Sequence, residues 1–144
     1  MGWTRKPQKL PIILSPDEVQ QFLGCVLDLK HHAILTTCYA AGLRISEAVH
    51  LKPTDIDSQR MVVRVEQGES QKDRYVMLSP KLLEILRDYW KMRRPKAWLF
   101  PGDHADQPIT RDAVGQACAK AHNLSRLSKP VTGYSFRVRS KNAA

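Results

Sequence analysis

Helical and strand periodicities along the chain predict an α+β fold, mostly helical, with one small antiparallel β-hairpin or sheet between two sets of helices. Three observations carry this. Apolar residues first recur at helical spacing, at Val19, Phe22, Leu23, Val26 and Leu27 and again at Ile34, Leu35, Cys38 and Ala41. The period then changes to two, where Met61, Val63 and Val65 alternate with Val62, Arg64 and Glu66, and residues 74–78 follow across a polar turn. Helical spacing returns at Leu82, Leu83, Leu86, Tyr89 and Trp90.

Each element has its own signals. Residues 1–11 are basic and polar with Pro7 and Pro11, and are expected to be linker-like. Ser15-Pro16-Asp17-Glu18 opens the first helix: Ser15 can cap, Pro16 suits the first helical position and Glu18 completes a capping box. A second helix is expected from about His31 to Ala41, ended by Gly42 in a left-handed conformation. A short third helix carries Ile45, Ala48 and Val49, and Pro53 closes helical reading after Leu51. The loop around residues 68–72 is short enough for a hairpin rather than a crossover. Ser79-Pro80 opens the next helix, whose aromatic stripe reads as core. Thr110 caps a last one, with Val114, Ala117, Cys118 and Ala121 facing inward.

Composition bounds the function. A chain of 144 residues is long enough for one domain with a real core. No apolar run is long enough to span a membrane, and the start lacks the apolar centre of a signal peptide, so a cytoplasmic protein with no membrane partner is expected. The three cysteines form no C-x-x-C pair and read as buried, reduced thiols; the scattered histidines offer no metal site, and no cofactor is expected. A formal net charge of +9 favours a polyanionic partner, whether DNA, RNA or an acidic membrane surface.

The most pointed stretch is residues 41–49, where a glycine break is followed at once by Arg44 and then by a short apolar helix carrying Glu47. Such a corner holds a guanidinium rigidly, and arginine grips a phosphate with two parallel hydrogen bonds. Taken alone, the same pattern also describes a surface arginine at an ordinary helix–helix turn.

Four segments in order resemble the catalytic domain of the tyrosine recombinases, or phage-type integrases. They are Gly42-Leu43-Arg44-Ile45-Ser46-Glu47 with Leu51 and Asp55-Ile56-Asp57; the turn carrying Lys72 before Asp73-Arg74-Tyr75-Val76; Leu99-Phe100-Pro101-Gly102 with Pro108-Ile109-Thr110; and Val131-Thr132-Gly133-Tyr134-Ser135-Phe136-Arg137-Val138. The resemblance implies a catalytic-domain-like core over residues 12–137, with 138–144 a basic tail. It also implies metal-free transesterification of double-stranded DNA through a 3′-phosphotyrosine. In that chemistry Arg44 and Arg137 would clamp the phosphate, Lys72 would protonate the leaving 5′-oxygen, and Glu47 would orient the site. Arg74 and Arg111 would join Arg44, Lys72 and Arg137 in holding DNA.

The sequence departs from the family in two places. Tyr134 stands where the family has His or Lys, and Ala144 follows before the family's nucleophilic tyrosine. Tyr39, Tyr75 and Tyr89 fall at positions expected to be core. The resemblance therefore implies a catalytic domain truncated at its C-terminus, without its N-terminal domain, and unable to cleave DNA alone. Other readings are a non-catalytic regulator that binds DNA or a full-length recombinase, self-association through an exposed truncated face, a basic RNA-binding domain, and an inert remnant.

Overall fold

The computed structural model describes residues 14–67, 72–129 and 131. Helix α1 spans Pro16–Leu23 and has the expected capping box: Ser15 Oγ accepts the Glu18 N–H at 3.1 Å, and the Ser15 N–H donates to Glu18 Oε1 at 2.8 Å. The helix ends earlier than its apolar spacing suggests. Tight turns over Gly24 and Cys25 bury Val26 but leave Leu27 80% exposed, so Leu27 is not part of the inner face. Asp28 then starts α2, accepting the N–H groups of Lys30 and His31 at 2.8 and 3.1 Å, so that helix runs Leu29–Ala41 rather than from His31. This local cap overrides the apolar period across residues 26–28.

Helix α2 is buried over Ala33, Ile34, Leu35, Thr36, Thr37 and Cys38, and packs against α1 and α4. Gly42 ends it at φ 74°, as expected of a left-handed cap, with its N–H on the Cys38 carbonyl at 3.0 Å. The reversal buries Leu43 completely and delivers Arg44 to the start of α3, Ile45–Ala48.

The sheet has three antiparallel strands in the order β1 (Ile56–Asp57), β2 (Val62–Val65) and β3 (Arg74–Met77). The predicted hairpin is β2–β3, in register from Val62 opposite Met77 to Val65 opposite Arg74. Strand β1 adds an edge that two residues are too few to announce by period. Alternation puts Val63, Val65, Arg74 and Val76 on one face and Arg64, Tyr75 and Met77 on the other. Tyr75 is 60% exposed, which corrects its expected place in the core.

Helix α4, Pro80–Arg93, is capped by Ser79 and buries Leu82, Leu83, Leu86 and Tyr89. The Tyr89 hydroxyl donates to the Leu99 carbonyl at 2.7 Å, and its ring lies 5.4 Å from that of Phe100. Trp90 does not belong to that stripe. It is 41% exposed, with the Arg94 guanidinium 4.3 Å from its ring centre. Past Gly102 the chain doubles back, pairing Pro101 with Pro108, and Thr110 caps α5, Arg111–Ser125. Helix α5 packs on α1 and α3 and buries Val114, Cys118 and Ala121, with Ala117 only partly covered. The thiols are free; burial pushes Cys38 up to about 12 and Cys118 to about 11, while Cys25 is half-exposed.

Candidate functional site

The site is built on Glu47. Its carboxylate closes the first turn of α3 by accepting the Arg44 N–H on Oε1 at 2.8 Å. The same carboxylate takes both arms of the Arg74 guanidinium, Nη1 on Oε2 at 3.0 Å and Nη2 on Oε1 at 3.3 Å. One side chain thus fixes the backbone at Arg44 and ties it to the first residue of β3. Glu47 is well covered, at 15% side-chain exposure, so this bidentate pair is more rigid than a surface ion pair.

That tie brings two of the predicted site residues to one edge. The Arg44 side chain is exposed and has no carboxylate partner among the described residues. Lys72 stands two positions before Arg74, so its Cα lies within about 8 Å of Arg74's. It is exposed and likewise without an ion pair among the described residues. Arg74 itself is held by Glu47, with its side chain 37% exposed. Arg111 is exposed at the start of α5, and no hydrogen bond or ion pair among the described residues links it to Arg44 or Lys72. Arg137 and Tyr134 lie outside the described residues.

A second anchor holds the lysine segment from the opposite face of the sheet. Arg64 donates from Nε to Asp55 Oδ1 at 3.0 Å, from Nη2 to Glu66 at 3.1 Å and from Nη1 to Asp73 at 3.4 Å. Asp55 is 2% exposed and also accepts the Lys52 N–H at 2.9 Å. Hydrogen bonding and attraction from Asp55, then from Asp73 and Glu66, hold the Arg64 guanidinium pKa above its ordinary value. Lys72 is therefore followed by two residues that are each fixed, Asp73 through Arg64 and Arg74 through Glu47.

Sequence reasoning missed three further residues at this edge. His50 Nδ1 lies 2.7 Å from the Ser46 carbonyl, so that nitrogen carries the proton. The His50 ring meets Trp98 edge-on at 6.1 Å, and Lys52 Nζ stands 5.7 Å over the same indole and 3.6 Å from Glu66. With Arg44, Ser46 and the carboxylates of Glu47, Asp55 and Glu66 these side chains line an open hollow of about 470 Å³. The available sequence signal was the density of basic groups just after Arg44; Trp98 is too distant in the chain to be placed there by spacing. The three carboxylates are answered by Arg74, Arg64 and Lys52, which leaves the exposed Arg44 guanidinium as the donor suited to a phosphate ester.

Among the described residues no helix is long and apolar enough to cross a membrane, and no three His, Cys, Asp or Glu side chains gather as a metal site.

Known proteins bear on this geometry. A Sinorhizobium fredii protein named "Putative integrase/recombinase y4qK" is 89% identical over 133 residues, covering 92% of this chain and 43% of that protein. A second from the same organism, "Putative integrase/recombinase y4eF", is 84% identical, covering 92% of this chain and 53% of its own length. The chain thus spans about half the length of the curated relatives it matches. A crystal structure of the XerA recombinase superposes with a TM-score of 0.84 at 22% identity, over 96% of this chain and 51% of that one. A lambda integrase dimer bound to a core site gives a TM-score of 0.77 at 19% identity, over 97% and 55% of the two chains. At such identities these two likenesses speak to the fold, and they agree on a mostly helical domain with a small antiparallel sheet. Residues 13–141 match the phage integrase family, so the sequence resemblance carried by the arginine box and the lysine turn is confirmed, and the chain belongs to the phage integrase, or tyrosine recombinase, family.

Proposed function

We propose that this chain is the phosphate-gripping part of a site-specific recombinase's catalytic domain, acting on double-stranded DNA in the cytoplasm as part of a mobile element's integration machinery. The observation that carries the reading is the double use of Glu47, which sets Arg44 and the strand behind Lys72 on one edge. Arg44, with Arg137 as its partner clamp, would stabilise the charge that builds on the non-bridging oxygens in transesterification. Lys72 would give its proton to the leaving 5′-oxygen, and its exposed position leaves it free to reach that oxygen.

Neither Tyr75 nor Tyr89 faces that edge. Tyr89 is buried and bonded to Leu99, Tyr39 is partly covered on α2, and Tyr75 leaves β3 on the face opposite Arg74. We therefore infer that the chain holds DNA but does not cut it alone. Two measurements test this. In fluorescence anisotropy with a labelled duplex, Arg44→Ala and Lys72→Ala should each weaken binding and reduce the salt slope by about 1; unchanged slopes would sink the assignment. Incubation with a nicked suicide substrate should leave no covalent protein–DNA adduct, and an adduct would overturn the inference of inactivity.

A further inference from the structure

A second hollow lies on α4, lined by no residue of the Arg44 hollow. It measures about 480 Å³, within the usual range of binding pockets of roughly 300–1,000 Å³. Its floor is apolar, made by Ile56 from β1, Leu83 and Leu86 from α4, and Leu99. Its rim is cationic and aromatic, with Arg87, Trp90 and Lys91. Arg94, the left-handed cap that follows α4, extends that rim, because its guanidinium stacks on Trp90 at 4.3 Å.

Among the described residues no carboxylate lines the hollow itself; Glu84 and Asp88 lie in an adjoining depression that shares Leu83, Arg87 and Lys91 with it, so the two acids flank these cations without lining the hollow. Arg87 and Lys91 are exposed and make no ion pair among the described residues. An exposed tryptophan beside a fillable apolar floor, ringed by unpaired cations, is the composition of a binding hot spot rather than of an inert helix face.

We propose that this hollow docks an acidic, amphipathic peptide segment of a partner protein. One or two of its large apolar side chains would enter over Leu83 and Leu86, while its carboxylates meet Arg87, Lys91 and Arg94. A duplex would satisfy the cations but offers nothing to fill the apolar floor, so a peptide is the better match. The site stands independently of the DNA-gripping edge.

The test uses the full chain labelled with nitrogen-15 and two-dimensional amide spectra. The first probe is a synthetic peptide alternating glutamates with leucine and phenylalanine. The controls are a peptide with the same glutamates but serines for the apolar residues, a peptide with lysines for the glutamates, and a short DNA duplex. The acidic apolar peptide should shift α4 and Ile56 amides with saturation, more tightly at low salt. Arg87→Glu with Lys91→Glu should weaken it roughly tenfold or more, and Trp90→Ala should do so at any salt. Both variants should keep wild-type spectra elsewhere, since these side chains are exposed. No shift at millimolar peptide, equal shifts with the serine or lysine peptide, or displacement of the peptide by the duplex from α4 would each overturn the proposal. So would concentration-dependent shifts of the same amides without peptide, which would assign the hollow to a second copy of the chain.

Discussion

In α1, α2, α4 and α5 the inner faces are apolar and each helix begins on a side-chain cap, whereas α3 meets the sheet through charge. The helical part is held by Phe22, Ile34, Leu35, Leu82 and Tyr89, all essentially without solvent contact. The edge that carries the candidate site is held by Glu47 with Arg74 and by Asp55 with Arg64. Apolar packing fixes positions without leaving any charge behind. Ion pairs fix positions too, but they also keep cations at the surface with defined orientation, which a phosphate-binding edge needs. The comparison teaches that stability and site geometry are supplied here by separate sets of residues, and substitutions should separate them.

The largest effect belongs to the helical part. Phe22→Ala removes a fully buried ring between α1 and its neighbours and should cost about 3–5 kcal/mol in urea unfolding, with the loss set by how far the cavity relaxes. A loss under 1 kcal/mol, on the order of a surface substitution, would show that α1 packs loosely and would break the comparison.

At the charged edge the strongest case is Asp55, because it is buried and answers both Arg64 and the Lys52 N–H. Asp55→Ala should cost about 1.5–3 kcal/mol, the usual range for hydrogen bonds to a charged group. Amide exchange should meanwhile quicken in β2 and β3 before it quickens in α2. Uniform quickening over the whole chain would mean that the edge and the helices open together.

The Glu47–Arg74 pair is smaller in energy. Arg74 is 37% exposed, so solvent screens the attraction, and a double-mutant cycle of Glu47→Ala and Arg74→Ala should give a coupling of about 0.5–1 kcal/mol. Its consequence for DNA should be larger than its consequence for folding. With the carboxylate gone, Arg44 loses its backbone anchor, so Glu47→Ala should blunt the effect of Arg44→Ala on duplex binding. If Arg44→Ala weakens binding equally with and without Glu47, the anchor does not matter.

These two kinds of region were not equally legible in the sequence. The helices could be read because apolar period and capping residues agree: Ser15 with Glu18, Gly42, Ser79 and Thr110 all act as their positions suggest. The misreadings at Leu27 and Trp90 arose where a helix stopped early or where an amphipathic ring sat at the border of its stripe. Arg44, Glu47 and Lys72 were singled out by motif, since their spacing is local. Arg64 with Asp55 and Trp98 with Lys52 were not found, because those contacts join residues that only the sheet and the loop after α4 bring together. The Glu47 partner of Arg74 was missed for a related reason: a sequence shows a cation but not the carboxylate that holds it.

The smallest effect is set by pH and falls on the helical part. Burial lowers the pKa of His32, and burial together with Lys30 and Arg93 lowers that of His31 against the pull of Asp28. Both imidazoles ordinarily titrate near 6.5, so in the folded chain they stay neutral to lower pH than in the unfolded one. Below that value the unfolded state therefore binds more protons, and stability falls as pH drops through the folded values. The carboxylates act later: Glu18 is lowered from 4.5 chiefly by its hydrogen bond from Lys129, so its contribution, present above 4.5, is lost only beneath that value. Urea midpoints should accordingly begin to decline as pH falls below about 6.5, ahead of a second decline in stronger acid. His32→Gln, which keeps a polar side chain but cannot take up a proton, should flatten the first decline while leaving the second in place. A flat profile from pH 7 to 5 in the unsubstituted chain would mean that water reaches these imidazoles in the folded state. The helical face they occupy would then be held less tightly than the apolar residues beside it.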